Sequence, residues 1–343
     1  MERQTAGMCL GTRKVAIILW LMAVLNLAAG VMEGAEYRVL LVGDSWAQAM
    51  WGQRSLSQVF TAHGYGEQAE KGEVTAIGGT PAAFWNSPTG RQLISSELSR
   101  HVTIDCVHLS TGEIDLLTGW NTALTPEQQT MFFDGISANI SGVIQHCLKQ
   151  RPTIGVVICG YDYLNLQETV AADPNGPVAL LWERLGRPTA RELNGALAEL
   201  EKRKEVLAAA NPRVCYVNNL GLMQKQFGYP ARGLAAGKLA PPGDPNLPSP
   251  PESLANGGRD GIHLRPEGYL ALAENCFVHF YQGRFLAAIQ KVSKPLGVGA
   301  AGSCLAATGG GEIEAGAEAG ADQGGGTHDF FSFAAAWSEN SFR

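Results

Sequence analysis

Short apolar runs alternate with longer amphipathic segments along most of this chain. Apolar residues at helical spacing predict one helix over 126–150 and another over about 190–210. Runs rich in Val, Ile, Leu and Cys predict five β-strands, at residues 37–42, 73–77, 106–110, 153–159 and 214–218. Strands that alternate with helices favour a parallel sheet that is covered on both faces.

The predicted fold class is α/β, with a three-layer α/β/α, doubly wound (flavodoxin-like) sheet of about five parallel strands. In such sheets, ligands bind beyond the carboxyl ends of the strands. Ser45, Gly79, Gly112 and the segment 160–163 each follow a predicted strand. We expect them to converge at one edge of the sheet.

The first 35 residues do not fit this pattern. Basic residues near the start precede an apolar run over 15–25, and small residues follow it, which is the layout of a secretory signal peptide. The run is nearly long enough to cross a bilayer, so an uncleaved N-terminal membrane anchor is the alternative. Either outcome places residues 36–292 outside the cytosol, in a secreted or extracytoplasmic protein. A membrane is a partner only if the segment stays uncleaved.

The opposite end of the chain, residues 293–343, is a Gly/Ala-rich low-complexity tail. Such a composition buries too little apolar surface to fold alone, and we expect disorder. The whole chain has 343 residues, of which 45% are hydrophobic and 17% charged, so residues 36–292 can form one globular domain. The net charge of −6 and the lack of Lys/Arg clusters argue against a nucleic-acid partner.

The cysteines leave two alternatives open. Six remain after the N-terminal segment, an even number that is compatible with disulfides in an oxidising compartment, although several lie in apolar runs that suit buried free thiols. They are Cys106, Cys147, Cys159, Cys215, Cys276 and Cys304. No Cys-x-x-Cys pair or His-Glu-x-x-His helix is present, so the sequence indicates no metal site, and it implies no cofactor.

Two short motifs carry the candidate chemistry. Gly43-Asp44-Ser45 follows the first predicted strand, and Asp260-Gly-Ile-His263 precedes an apolar periodic segment near the other end. A serine hydroxyl becomes a useful nucleophile when an imidazole accepts its proton, and a carboxylate then fixes the imidazole tautomer. The chain supplies Ser45, Asp260 and His263 for these roles. The alternative is that Ser45 is a helix N-cap and that Asp260 caps a solvated turn.

These motifs resemble the first and last blocks of the SGNH/GDSL hydrolases, an esterase and lipase family. The resemblance spans roughly residues 37–292 and implies that Ser45 is the nucleophile, His263 the general base and Asp260 its orienting acid. It also implies an oxyanion hole formed by the amides of Ser45 and of a glycine in a block resembling Ala76-Ile-Gly-Gly79-Thr. Gly79 matches this glycine better, and Gly78 is the alternative.

The segment of this chain that corresponds to the third block departs from the family's pattern. The block normally reads Gly-x-Asn-Asp, and the Asn side chain donates to the oxyanion, but here the segment is Gly112-Glu113-Ile114-Asp115. Ile114 cannot donate a hydrogen bond, and losing one such donor typically lowers turnover about 100 to 1,000-fold. We expect Glu113 to have a structural or substrate-positioning role at most.

Three further residues are candidates for substrate binding: Trp46, Tyr161 and Asp162. Each lies near a predicted strand end, and each is also compatible with a structural role. The sequence thus predicts a serine esterase that hydrolyses a carboxylic ester of a small molecule, carbohydrate or lipid, or a thioester, through an acyl-enzyme. The alternatives are a non-catalytic binding protein on the same fold, because of Ile114, and an O-acyltransferase.

Overall fold

The structure is a computed structural model, and it describes residues 36–285. The predicted signal peptide or anchor at 1–35 and the predicted tail at 293–343 therefore lie outside the described residues. Within residues 36–285, no helix is both long enough and apolar enough to cross a membrane.

A five-stranded sheet forms the centre of the described chain. All neighbouring strands are parallel, in the order β2-β1-β3-β4-β5. This order and direction confirm the predicted doubly wound α/β/α fold, because it is the strand order of flavodoxin-like sheets. The strands are β1 (Glu36–Gly43), β2 (Gln68–Lys71), β3 (Cys106–Ser110), β4 (Gly155–Cys159) and β5 (Val214–Val217).

Helices connect the strands and cover both faces of the sheet. The predicted helix over 126–150 is confirmed, and the one predicted over about 190–210 ends at Ala209. Within residues 36–285 the α-helices are α1 (Ser45–Gln53), α2 (Ser55–Ala62), α3 (Ala82–Asn86), α4 (Pro88–Arg100), α5 (Glu113–Gly119), α6 (Pro126–Gln150), α7 (Leu166–Ala172), α8 (Pro177–Arg184), α9 (Ala190–Ala209), α10 (Leu222–Phe227), α11 (Ala255–Gly258) and α12 (Pro266–Cys276).

Two groups of helices form the outer layers. Helices α1, α2 and α12 pack together on one face, and α4, α6 and α9 pack on the other. Because strand residues alternate between the faces, His108 and Cys159 project toward the α12 side, whereas Leu109 and Ile158 project toward the α6 side. All four side chains are buried. Burial on both faces explains why the central strands read as continuous apolar runs.

The prediction of a strand over 73–77 is wrong. The second strand is Gln68–Lys71, and of the predicted segment only Ala76 forms an isolated bridge, to Gly43. This strand lies at the edge of the sheet, where one side stays unpaired, and short polar sequences are common at such edges. The apolar residues of 73–77 instead form the turn that leads from the edge strand toward Gly79.

Candidate active site

Ser45 lies where β1 ends and α1 begins. Gly43 has φ +150°, and a Cβ on it would lie 1.7 Å from the carbonyl oxygen of Ser110 in β3. Only glycine fits this close approach of the two backbones. Asp44 then hydrogen-bonds through its amide to the same carbonyl at 3.0 Å and caps α1 by accepting from Trp46 N at 3.1 Å. These contacts fix Ser45 at the carboxyl edge of the sheet.

The structure brings Ser45, His263 and Asp260 together. His263 Nε2 lies 2.8 Å from Ser45 Oγ, and His263 Nδ1 lies 3.0 Å from both carboxylate oxygens of Asp260. Asp260 Oδ1 also accepts the amides of Ile262, at 3.1 Å, and His263, at 2.7 Å. When Nδ1 donates its proton to Asp260, Nε2 presents a lone pair to the serine hydroxyl. The arrangement can thus move the serine proton to the imidazole.

Neighbouring segments hold the turn that carries Asp260 and His263. Gly261 has φ +76°, and its carbonyl accepts the amide of Asn165 at 2.8 Å. The carbonyl of His263 accepts the amide of Ala255 at 2.9 Å, and α12 begins three residues later. These hydrogen bonds connect the turn to the segment after β4 and to the residues that directly precede the turn in the chain. Both connections restrict the position of the imidazole.

Two backbone amides beside Ser45 have the properties of oxyanion donors. Among the described residues, neither the amide of Ser45 nor that of Gly79 donates a hydrogen bond. Gly79 is buried in a turn with φ +76°. Thr80 Oγ1 donates to the carbonyl of Ile77 at 2.7 Å, and Asp115 Oδ2 accepts the amide of Ala82 at 2.7 Å. The turn is therefore held on both sides while its amide stays available to a ligand.

The segment of the third family block begins α5. Gly112 precedes this helix with φ +112°, and Ile114 is its second residue, with a half-buried side chain. Asp115, the fourth residue of the block, connects α5 to the Gly79 turn through Ala82. The block is therefore in contact with the segment that follows Gly79 through the Asp115 side chain, but the side chain at position 114 offers no donor.

A group of buried ionisable residues lies around Asp44, the residue before Ser45. Tyr161 donates its hydroxyl to Asp44, and Lys204 Nζ lies 4.0 Å from the centre of the Tyr161 ring. Lys204 is fully buried and pairs with Glu201 at 2.8 Å. Lys204 stands in the charged run 201–205, a pattern typical of a solvated helix face, and only the three-dimensional packing reveals its burial.

Burial favours the protonated carboxyl groups in this region. It raises the pKa of Asp44 to about 7. Burial, and then the nearby charge of Asp44, raise the pKa of Glu113 well above its usual range. Glu113 is 0% exposed, and neither of its carboxyl oxygens has a hydrogen-bond partner in the described part of the chain. A protonated Glu113 is neutral and would not repel an oxyanion at Ser45.

The burial of Trp46, Tyr161 and Asp162 is not compatible with the substrate contacts predicted for these side chains. All three side chains are 0–1% exposed. The rings of Trp46 and Tyr161 pack edge to face at 5.2 Å. Asp162 accepts the backbone amides of Tyr163, at 2.7 Å, and Gly221, at 2.6 Å, and so joins the segments after β4 and β5. These side chains support the site from inside the protein.

Ser45 and His263 have little exposed surface, 2% each. A groove of about 1220 Å³ lies next to them, lined by α1 residues one turn after Ser45 and by residues of 251–267. Neither Ser45 nor His263 lines this groove. The side chains of Ser45 and His263 therefore lie beside this groove rather than on its surface.

The motif blocks of the sequence thus occupy one edge of the sheet, with a serine, an imidazole and a carboxylate in hydrogen-bonded sequence. The chain resembles the SGNH/GDSL hydrolases. No protein-family model and no curated protein sequence matches it.

Solved structures that are similar include a carbohydrate acetylesterase from Sinorhizobium meliloti and an inhibitor-bound aryl esterase from M. smegmatis. Each is 16% identical to this chain with a TM-score of 0.42, and the matches cover 74% of this chain and 99% or 100% of theirs. A GDSL-like lipase from Bacteroides thetaiotaomicron is 17% identical with a TM-score of 0.38, covering 74% of this chain and 88% of its own. At these values the matches carry no conclusion about substrate or mechanism.

Proposed function

We propose that this protein is a serine esterase that hydrolyses a carboxylic ester through an acyl-enzyme on Ser45. The observation that carries the proposal is the continuous hydrogen-bonded path from Ser45 Oγ through His263 to Asp260, with separations of 2.8 Å and 3.0 Å. A serine and a histidine in this geometry, with a buried carboxylate behind the imidazole, have the arrangement that activates a hydroxyl nucleophile.

In the first half-reaction, Ser45 Oγ attacks the acyl carbon while His263 Nε2 takes the serine proton. The carbonyl oxygen becomes negatively charged, and the amides of Ser45 and Gly79 stabilise it. Collapse of the tetrahedral intermediate expels the alcohol, which receives its proton from His263. In the second half-reaction, water loses a proton to His263, attacks the acyl carbon and releases the acid and the free serine.

The small exposed fraction of Ser45 favours a short acyl group. A long acyl chain would need a continuous apolar channel at the nucleophile, but the large groove does not include Ser45 or His263. We therefore infer an ester of a small acid, such as an acetyl ester, rather than a long-chain lipid. We also propose, from the N-terminal sequence, that the enzyme acts outside the cytosol.

A second candidate is a non-catalytic binding protein on the same fold. It is favoured by Ile114, which supplies no donor where the family pattern has an asparagine. A protein that has lost one oxyanion donor still binds an ester, but it stabilises the transition state less well.

Hydrolysis of nitrophenyl esters separates these candidates. The purified full chain should hydrolyse the acetate faster than the octanoate, and Ser45→Ala should abolish turnover of both. Ser55→Ala is a matched control, because Ser55 is also buried near the start of a helix but its hydroxyl has no hydrogen-bond partner among the residues that the structure describes. Turnover that survives in Ser45→Ala would contradict the proposal.

An inert parent that becomes active as Ile114→Asn would favour the binding protein. Transfer to a sugar hydroxyl, which uses the same residues, would appear as an acylated sugar when an acceptor is added to the reaction.

A further inference from the structure

Four of the cysteines lie on one face of the sheet: three are on strands, and the fourth is on α12, the helix that covers this face. The register pairs His108 with Val157 and Val157 with Cys215, so His108, Cys159 and Cys215 project from the same face. Cys106, two residues before His108, projects there as well. Cys276, the last residue of α12, covers this face. The thiols and the imidazole come from distant parts of the chain, and no short sequence motif announces them.

Three of these side chains form a compact buried set: His108, Cys159 and Cys276. One nitrogen and two sulfur atoms lie within 4.8 Å of one another, and all three residues are 0–2% exposed. The two sulfur atoms are 3.6 Å apart. Two thiolates bound to one tetrahedral zinc ion at about 2.3 Å would lie about 3.8 Å apart, whereas a disulfide needs about 2.05 Å. The observed separation is close to that of the metal geometry.

The imidazole provides an independent indication of a ligand. His108 Nδ1 is hydrogen-bonded to the Tyr281 hydroxyl at 2.9 Å, but within residues 36–285 His108 Nε2 has no hydrogen-bond partner although the residue is fully buried. A buried imidazole nitrogen without a partner is costly, and a metal ion would satisfy it. A second ring nitrogen that is held by a hydrogen bond is also typical of metal-binding histidines, because that bond fixes the tautomer.

Asn219 and the sheet also support the set of His108, Cys159 and Cys276. The amide of Asn219 lies 3.3 Å from Cys159 Sγ, the kind of contact that supports a thiolate ligand. The sulfur and nitrogen atoms are borne by β3, β4 and α12, which are well-packed elements that hold ligands in place.

We propose that His108, Cys159 and Cys276 bind a structural zinc ion, and that a shift of the Cys106 or Cys215 side chain toward this set supplies the fourth ligand. Soft thiolate and imidazole ligands suit Zn²⁺. The ion would join the central strands to α12, which begins three residues after His263. It would therefore stabilise the fold and the position of the proposed catalytic base, without taking part in the reaction.

The test measures metal in the purified full chain and its complex with Co²⁺. We expect about one equivalent of zinc per chain, and Co²⁺ added to the zinc-free protein should give tetrahedral d–d absorption and a thiolate charge-transfer band. Cys276→Ser and Cys159→Ser should each lower zinc retention about tenfold or more and weaken the charge-transfer band. Chelation should lower the Tm of the parent and leave that of these variants unchanged.

Cys147→Ser is the matched control, because Cys147 is also fully buried but lies on α6. It should keep the metal and the spectrum of the parent. Absence of bound zinc together with absence of a Co²⁺ charge-transfer band in the parent would overturn the proposal, even if a ligand variant fails to fold. A disulfide between Cys159 and Cys276, mapped by peptide mass spectrometry of the non-reduced protein, would also overturn it.

Discussion

Replacing Asp260 with asparagine removes the charge behind the imidazole while keeping the size of the side chain. The carboxylate has both oxygens 3.0 Å from His263 Nδ1, and both side chains are almost completely buried. Asparagine keeps Oδ1, which accepts the two backbone amides, but an NH2 group replaces Oδ2 at 3.0 Å from His263 Nδ1 and can hold the imidazole in the wrong tautomer. The variant also loses the attraction between a carboxylate and the imidazolium that forms during catalysis, and this attraction alone sets a minimum for the effect.

The expected loss of kcat/KM follows from the Coulomb attraction between the two charged groups. Two unit charges about 4 Å apart at an effective dielectric constant of about 20 attract each other by about 4 kcal/mol. We therefore expect Asp260→Asn to lower kcat/KM about 1,000-fold, since about 1.4 kcal/mol corresponds to a factor of ten. The assay is hydrolysis of nitrophenyl acetate, and near-ultraviolet circular dichroism checks that the variant is folded. A folded variant that keeps more than about a tenth of the parental kcat/KM would refute this role of Asp260.

Three further predictions concern the surroundings of Ser45. Ile114→Asn should raise kcat about tenfold or more by supplying an oxyanion donor, whereas Ile114→Val should not. Gly43→Ala should destabilise the fold by about 3 kcal/mol or more in urea unfolding, because its Cβ would meet a backbone oxygen at 1.7 Å; Gly52→Ala, in open space, should not. Burial raises the pKa of Asp44 to about 7 and also raises the pKa of Glu113, so the folded state binds their protons more tightly than the unfolded state. The contribution of Asp44 to stability is complete below its unfolded pKa, near 4, and falls as the pH rises through about 7. The contribution of Glu113 falls in the same direction as the pH rises toward its own raised pKa, so Glu113→Gln should reduce the difference in urea midpoint between pH 5 and pH 8. An unchanged difference would contradict the burial of an ionisable Glu113.

The central strands and the long helices could be predicted because their patterns are local. β3 and the helix over 126–150 have the predicted bounds, since apolar runs and helical spacing directly reflect burial. The edge strand Gln68–Lys71 could not be predicted in this way. Its buried Glu70 accepts a hydrogen bond from Ser57 of α2, and only that tertiary contact makes a polar segment suitable for the sheet.

The candidate site shows the same difference between features set by local sequence and features set by tertiary contacts. Short motifs indicated Ser45, Asp260 and His263, because their chemistry depends on residue types at fixed local spacing. The burial of Lys204 and the neighbouring thiols of Cys159 and Cys276 depend on segments that are far apart in the chain. No local pattern carries that information, and it becomes visible only when the helices are packed on the sheet.

Covalent labelling of Ser45 tests the central proposal most directly. The full chain is incubated with an alkyl fluorophosphonate, which reacts with activated serines, and the site of labelling is mapped by peptide mass spectrometry. The proposed mechanism predicts one label per chain, on Ser45, with much slower labelling in His263→Ala. Absence of labelling, or a label on another serine at the same rate in both proteins, would contradict a nucleophilic Ser45.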